Sequence, residues 1–257
     1  MAQLSDFRIL ICNDDGIFST GIKILERIAR DISPDVWVVA PEFEQSGKGM
    51  SITFNDILRV NEVSPRKYTV NGTPADCVVM AVNHILTDKK PDLVITGINH
   101  GNNVGDTVFI SGTVGAAQIA AFHGIRSIAV SQDCYEGVPP KFHLPDHFLP
   151  QILKKLIKFN WLNGMVVNIN FPEASISDVK GTVVVPQGSM KIDWNVIERT
   201  DPVGYPYYWV RSNWDSKNPS TKTDTNYLND KYITITPIDT NLNNQVFLDE
   251  LEEFMNS

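Results

Sequence analysis

Two adjacent carboxylates, Asp14 and Asp15, stand where an apolar run from Ile9 to Cys12 stops. An acid pair at the end of a buried strand is expensive, because mutual repulsion and lost solvation both raise its free energy. A cation or a proton-exchanging substrate is the usual compensation. Asp14-Asp15-Gly16 also fits a solvated turn, so the pair alone leaves turn and site open. Two further polar clusters follow predicted strands: Ser46 in PEFEQSGKGM (41–50) and Asn99 in GINHGNNVGD (97–106). In a doubly wound sheet every parallel strand delivers its carboxyl end to one edge, where ligands bind. Two carboxylates, a hydroxyl and an amide carbonyl converging there make an all-oxygen set, suited to Mg²⁺, Mn²⁺ or Ca²⁺ and not to a thiolate-loving metal. Ser111-Gly112-Thr113 opens a helix rich in small residues. Its unpaired N–H groups and two hydroxyls can hold a phosphoryl dianion beside the cation, with Asn103 adding an amide N–H. A plain N-cap is the other reading.

The elements that must carry these residues alternate between strand and helix. Ser19 or Thr20 caps a predicted helix to about Ile32, and Val36 to Ala40 is the next strand. Ile57–Val60 and Tyr68–Val70 predict a hairpin. Thr73-Pro74-Ala75-Asp76 supplies a cap, a first-turn proline and an early acid for a helix to about Leu86. Strands follow at Asp92–Ile98, Ser127–Ser131 and Val166–Phe171, with a helix around His147–Phe159 before the last. This order predicts an α/β fold with a mostly parallel sheet and helices on both faces. From about Val183 the character changes. Tyr205, Tyr207, Tyr208, Trp209 and Trp214 crowd one segment, which either folds onto the core or forms an interface. Tyr232–Pro237 is a late strand, and Phe247, Leu251, Phe254 and Met255 mark an amphipathic C-terminal helix.

Composition excludes several classes. A formal charge of −8 across 257 residues argues against a polyanion-binding surface, so no nucleic-acid polymer is expected. No apolar stretch approaches the ~20 residues that span a bilayer, and no secretory signal pattern opens the chain, so no membrane partner and a cytoplasmic location are expected. Cys12, Cys77 and Cys134 have neither disulfide-framework nor Cys-x-x-Cys spacing, and His100, His123, His143 and His147 are read as structural rather than as metal ligands. The SGK of the Ser46 loop is not a phosphate-binding P-loop, since Phe43 stands where its first glycine belongs and Gly49 where its hydroxyl belongs. A nicotinamide-dependent oxidoreductase lacks its G-x-G-x-x-G turn here.

NDDGIFSTGI (13–22), PEFEQSGKGMSIT (41–53), NGTPADCV (71–78), GINHGNNVGDTVFISGTVGAA (97–117) and VNINFP (167–172) resemble the SurE-type 5′-nucleotidase (stationary-phase survival protein) family. DPVGYPYYWV (201–210) and TDTNYLNDKYITITP (223–237) are similar to its C-terminal half. The resemblance implies a Rossmann-like three-layer core at 1–186. A C-terminal extension at 187–257, not an independent domain, would build homodimers or homotetramers. It implies a Mg²⁺- or Mn²⁺-dependent phosphatase acting on nucleoside 5′-monophosphates. Asp14, Asp15, Ser46 and Asn99 match the family's metal ligands, and Asn103, Ser111, Gly112 and Thr113 its phosphate-side residues. Asp14 and Asp15 are the catalytic candidates, Asp14 preferred as the carboxylate that orients or deprotonates water and Asp15 mainly as a ligand, with the two roles not separable from sequence; a covalent aspartyl-phosphate is the alternative mechanism. A non-catalytic nucleotide- or phosphate-binding regulator is the alternative function. The chain departs from the family pattern at Ile110, Ile119 and Ala120.

Overall fold

The computed structural model describes residues 6–134, 138, 141–189, 191–215 and 222–256. Strand β1 (Arg8–Cys12) is buried at every position because the sheet is covered on both faces. Ile9 and Ile11 belong to one core layer, Leu10 and Cys12 to the other. Helix α1 (Thr20–Arg30) closes the first layer with Ile22, Leu25 and Ile28, ending two residues earlier than its apolar spacing predicts. Ser19 stands at its N-cap without a side-chain capping bond, because Ser19 Oγ accepts from Asn13 Nδ2 at 2.9 Å.

β2 (Asp35–Pro41) pairs parallel with β1. The hairpin β3 (Val60–Ser64) and β4 (Lys67–Val70) sits beyond it, with Ile57 outside the strand and exposed. Helix α2 (Pro74–Met80) opens on the predicted box: Thr73 Oγ1 accepts from the Asp76 N–H at 3.1 Å, and Asp76 Oδ2 accepts from the Thr73 N–H at 2.9 Å. Ala81–Ile85 continues it as a wider π turn. β5 (Leu93–His100), α3 (Gly112–Phe122), β6 (Arg126–Gln132), α4 (His143–Leu156) and β7 (Met165–Phe171) complete the alternation. α4 starts four residues earlier than predicted. α1 and α4 cover the Ile9–Ile11 face, and α2 and α3 the Leu10–Cys12 face, which gives three layers.

Beyond β8 (Thr182–Val184), the aromatic segment is a long antiparallel arm of β9 (Lys191–Thr200) and β10 (Pro206–Asp215). α5 (Asp224–Asn229) interrupts a stretch without hydrophobic period, and β11 (Ile233–Asp239) and α6 (Gln245–Met255) follow. The sheet order is β3-β4-β2-β1-β5-β6-β7-β11-β8, parallel except at β3–β4 and β7–β11. β11 is therefore a strand of the core sheet, and the expected division at 186/187 cuts through that sheet. Tyr205, Tyr207, Tyr208 and Trp209 are exposed, so the arm is not folded onto this core; the Trp214 side chain lies outside the described residues. No described helix is long and apolar enough to cross a membrane.

Candidate active site

Asp14 and Asp15 follow β1, and Asp14 faces the start of α3. Thr113 Oγ1 donates to Asp14 Oδ1 at 2.5 Å, and both side chains are buried. The approach is set by glycine: a Cβ at Gly112 would lie 2.9 Å from Asp14 Cβ and 3.0 Å from Asp14 Oδ2. One turn on, a Cβ at Gly115 would lie 2.3 Å from the Gly49 carbonyl oxygen. The small-residue face of α3 thus brings its first turn against both Asp14 and the Ser46 loop. That loop is tied down at Gln45, whose N–H donates to the Asp14 carbonyl at 2.7 Å, and at Gly49, whose N–H donates to the Ile110 carbonyl at 3.0 Å.

Burial raises the Asp14 carboxyl above its ordinary pKa, partly offset by the Thr113 hydroxyl bond. Burial and then the Asp14 charge push Asp15 up to about 7, with Glu44 adding to the repulsion at both acids. Glu44 is the member of this group that reading the sequence missed, because nothing local to the Ser46 loop marks it; Ser46 Oγ donates to Glu44 Oε1 at 2.9 Å. Among the described residues, no ion pair engages Asp14, Asp15 or Glu44. Among the described residues no group of three His, Cys, Asp or Glu side chains is disposed to hold a metal ion, so a divalent ion here would rest on the Asp14 and Asp15 carboxylates with the oxygens of Ser46 and Asn99. Asn99 Nδ2 donates to the Gly101 carbonyl at 2.9 Å, which commits the donor side of the amide and leaves its oxygen for a ligand.

A cavity of about 340 Å³ opens at this edge. Asp14, Ser46, Asn99, Asn103 and Ser111 line it, so five of the eight candidate residues share one space. Asp15 instead lines a neighbouring cleft with Glu44 and His100, whose N–H donates to Asp15 Oδ2 at 3.3 Å. Thr113 is turned inward to Asp14, and Ser111 Oγ caps α3 by accepting from the Val114 N–H at 3.1 Å. Ser111 is thus the N-cap of α3, and it also lines the cavity.

Asn103 is held from three sides. Its carbonyl accepts from Asn168 Nδ2 at 2.7 Å and Asn170 Nδ2 at 3.1 Å, its N–H donates to Asn170 Oδ1 at 2.7 Å, and its Nδ2 donates to Ser131 Oγ at 2.8 Å. The alternating asparagines of VNINFP are thus a bracket for Asn103, a role that strand periodicity signals only as two polar residues on one buried face. Asp224 does the same work for the next residues. Its buried carboxylate accepts from the N–H groups of Gly105 at 3.0 Å, Gly188 at 2.7 Å and Thr225 at 2.8 Å, and so binds α5 to the loop after β5. α5 brings Thr225, Leu228 and Asn229 to the cavity wall, none of which the sequence marks.

The model of the family described as survival protein SurE matches residues 9–193. The chain is 44% identical over 238 residues to the 5′-nucleotidase SurE of Paramagnetospirillum magneticum, covering 93% of this chain and 92% of that protein. It is 46% identical over 243 residues to the 5′-nucleotidase SurE of Parvibaculum lavamentivorans, covering 93% and 87%. The crystal structure of the SurE protein from Aquifex aeolicus superposes with a TM-score of 0.82 at 34% identity, covering 96% of this chain and 99% of that one. With β1 from Ile9 on, Asp14, the Ser46 loop, the Asn99 loop and the start of α3 all inside the matched span, this chain belongs to the SurE survival-protein family.

Proposed function

We propose that this chain is a divalent-metal-dependent 5′-nucleotidase, hydrolysing nucleoside monophosphates to nucleoside and phosphate. The observation that carries it is Asp14, buried without an ion pair among the described residues and held against the first turn of α3, on the wall of a cavity of about 340 Å³ that Ser46, Asn99, Asn103 and Ser111 also line. Bound at Asp14, Asp15, Ser46 and Asn99, Mg²⁺ or Mn²⁺ supplies positive charge to the phosphoryl oxygens and acidity to the attacking water. The chain's own groups do the rest. The Gly112 N–H and the Ser111 hydroxyl face the phosphoryl group, with the dipole of an eleven-residue helix behind them. Asn103 Nδ2 has a second hydrogen to offer the same oxygens. Asp14, pinned by Thr113 and lining the cavity, orients the water for in-line attack and takes its proton. Its orientation is fixed before substrate arrives, so little reorganisation remains for the transition state.

The exposed arm and α6 fit a homodimer or homotetramer, and three free thiols fit a reducing cytoplasm. The function is tested by phosphate release from a nucleotide panel after EDTA treatment and after return of Mg²⁺ or Mn²⁺. Metal-dependent release from monophosphates, lost in Asp14→Asn, is expected. No release from any monophosphate, or full activity in Asp14→Asn, overturns the reading.

A further inference from the structure

Asp133 stands one strand over from the site. It follows β6, which runs parallel beside β5 with Ser131 opposite Asn99 and Gln132 opposite His100. Its side chain lines the same cavity as Asp14, and these two are the only carboxylates among the described lining residues. The position is fixed from three directions. Asn102 Nδ2 donates to Asp133 Oδ1 at 2.7 Å, the Asp133 N–H donates to the Phe171 carbonyl at 2.8 Å, and the Asp133 carbonyl accepts from Gln132 Nε2 at 2.8 Å. No ion pair among the described residues neutralises it.

An ionised carboxylate only accepts hydrogen bonds. In this cavity it repels the phosphoryl group, so what it attracts must be a donor elsewhere on the substrate. On a nucleoside monophosphate the donors nearest the phosphate are the ribose hydroxyls. A carboxylate on a ribose hydroxyl is also how dinucleotide-binding α/β folds recognise that sugar. Val104 and Leu228, packed together on the same wall, offer an apolar surface for the base beyond it. We propose that Asp133, oriented by Asn102, binds the ribose hydroxyls of the substrate and makes the enzyme select ribonucleotides. The proposal rests on the nucleotidase reading above and adds its sugar specificity.

The same carboxylate also faces the N–H groups of Cys134 and Glu173, and a role confined to holding that loop would affect all substrates alike. The test therefore compares three substrates on the Mn²⁺-loaded full chain: a ribonucleoside 5′-monophosphate, its 2′,3′-dideoxy counterpart, and p-nitrophenyl phosphate, which has no sugar. The wild type is expected to favour the ribonucleotide over the dideoxynucleotide about tenfold or more in kcat/KM, the range for a hydroxyl lost from a charged partner. Asp133→Ala brings that ratio near one by slowing the ribonucleotide, while p-nitrophenyl phosphate stays within about threefold of wild type. Asp133→Asn keeps the shape and one acceptor, so it retains a reduced preference and keeps the test decisive if the alanine variant fails to fold. A wild type with no preference, a ratio untouched in both variants, or a parallel loss on all three substrates overturns the proposal. Absence of hydrolysis of every monophosphate by the wild type strikes the nucleotidase reading instead.

Discussion

Burial of Asp14 beside Asp15 gives the site a titration that can be followed without substrate. Asp15 is held at about 7, against an ordinary value near 3.8, and Asp14 is raised in the same direction. Between about pH 4 and pH 7 the folded metal-free chain keeps a proton that the unfolded chain has released. Its stability from this source therefore falls as pH rises through that window. Asp15→Asn removes that part of the slope, so in EDTA the variant is expected to melt higher than wild type at pH 8 and to lose the advantage near pH 4. Metal binding must displace the same proton, so calorimetric Mn²⁺ affinity is expected to rise between pH 6 and pH 8 in the wild type. Equal melting slopes in variant and wild type, with a flat metal affinity, contradict this. The acid pair was legible in the sequence because two carboxylates after an apolar run are a local signal. Glu44, Asp133 and Asp224 were not, because each gains its role only when a loop distant in sequence closes against it.

α3 matters through what its first turn lacks. Alanine in place of glycine ordinarily stabilises a helix by up to ~1 kcal/mol. At Gly112 the added Cβ would meet Asp14 at 2.9 Å, and overpacking of this kind costs ~1–3 kcal/mol, so the clash wins. Gly112→Ala is expected to fold with reduced stability and to lose phosphatase activity at least about tenfold, because the helix start and Asp14 must move apart. Retained wild-type activity would show that this contact is dispensable. Strong periodic elements such as β1, α1 and β7 could be read from the sequence to within a few residues. α5 could not: its six residues carry no apolar period, and its place is fixed by Asp224 bonds to Gly105 and Gly188 rather than by a buried stripe. The arm was legible as an aromatic segment but not as paired strands, since the unbroken run of Tyr207, Tyr208, Trp209 and Val210 on β10 gives no alternation.

The C-terminal part of the chain carries a group of exposed apolar side chains on the arm and α6. Tyr208 and Trp209 on β10, and Phe247, Phe254 and Met255 on α6, are all exposed, and none of α6 is buried. Large exposed apolar patches mark interaction sites, and in the proposed homodimer or homotetramer a second copy lies against these side chains. Tyr208→Asp with Trp209→Asp is expected to convert a multimer to a lighter species in light scattering, with melting of the core unchanged. An unchanged mass, or a wild type already monomeric, excludes the arm as the interface. The placing of β11 has a further consequence, for the order of synthesis. Residues 233–239 fill the slot between β7 and β8, so both of those strands leave the ribosome with an open edge and wait until the arm and α5 have been made. During that interval the nascent chain carries unpaired strand edges next to an aromatic segment. Slower translation before β11 should therefore increase aggregation of this protein, whereas the same pause after it should not.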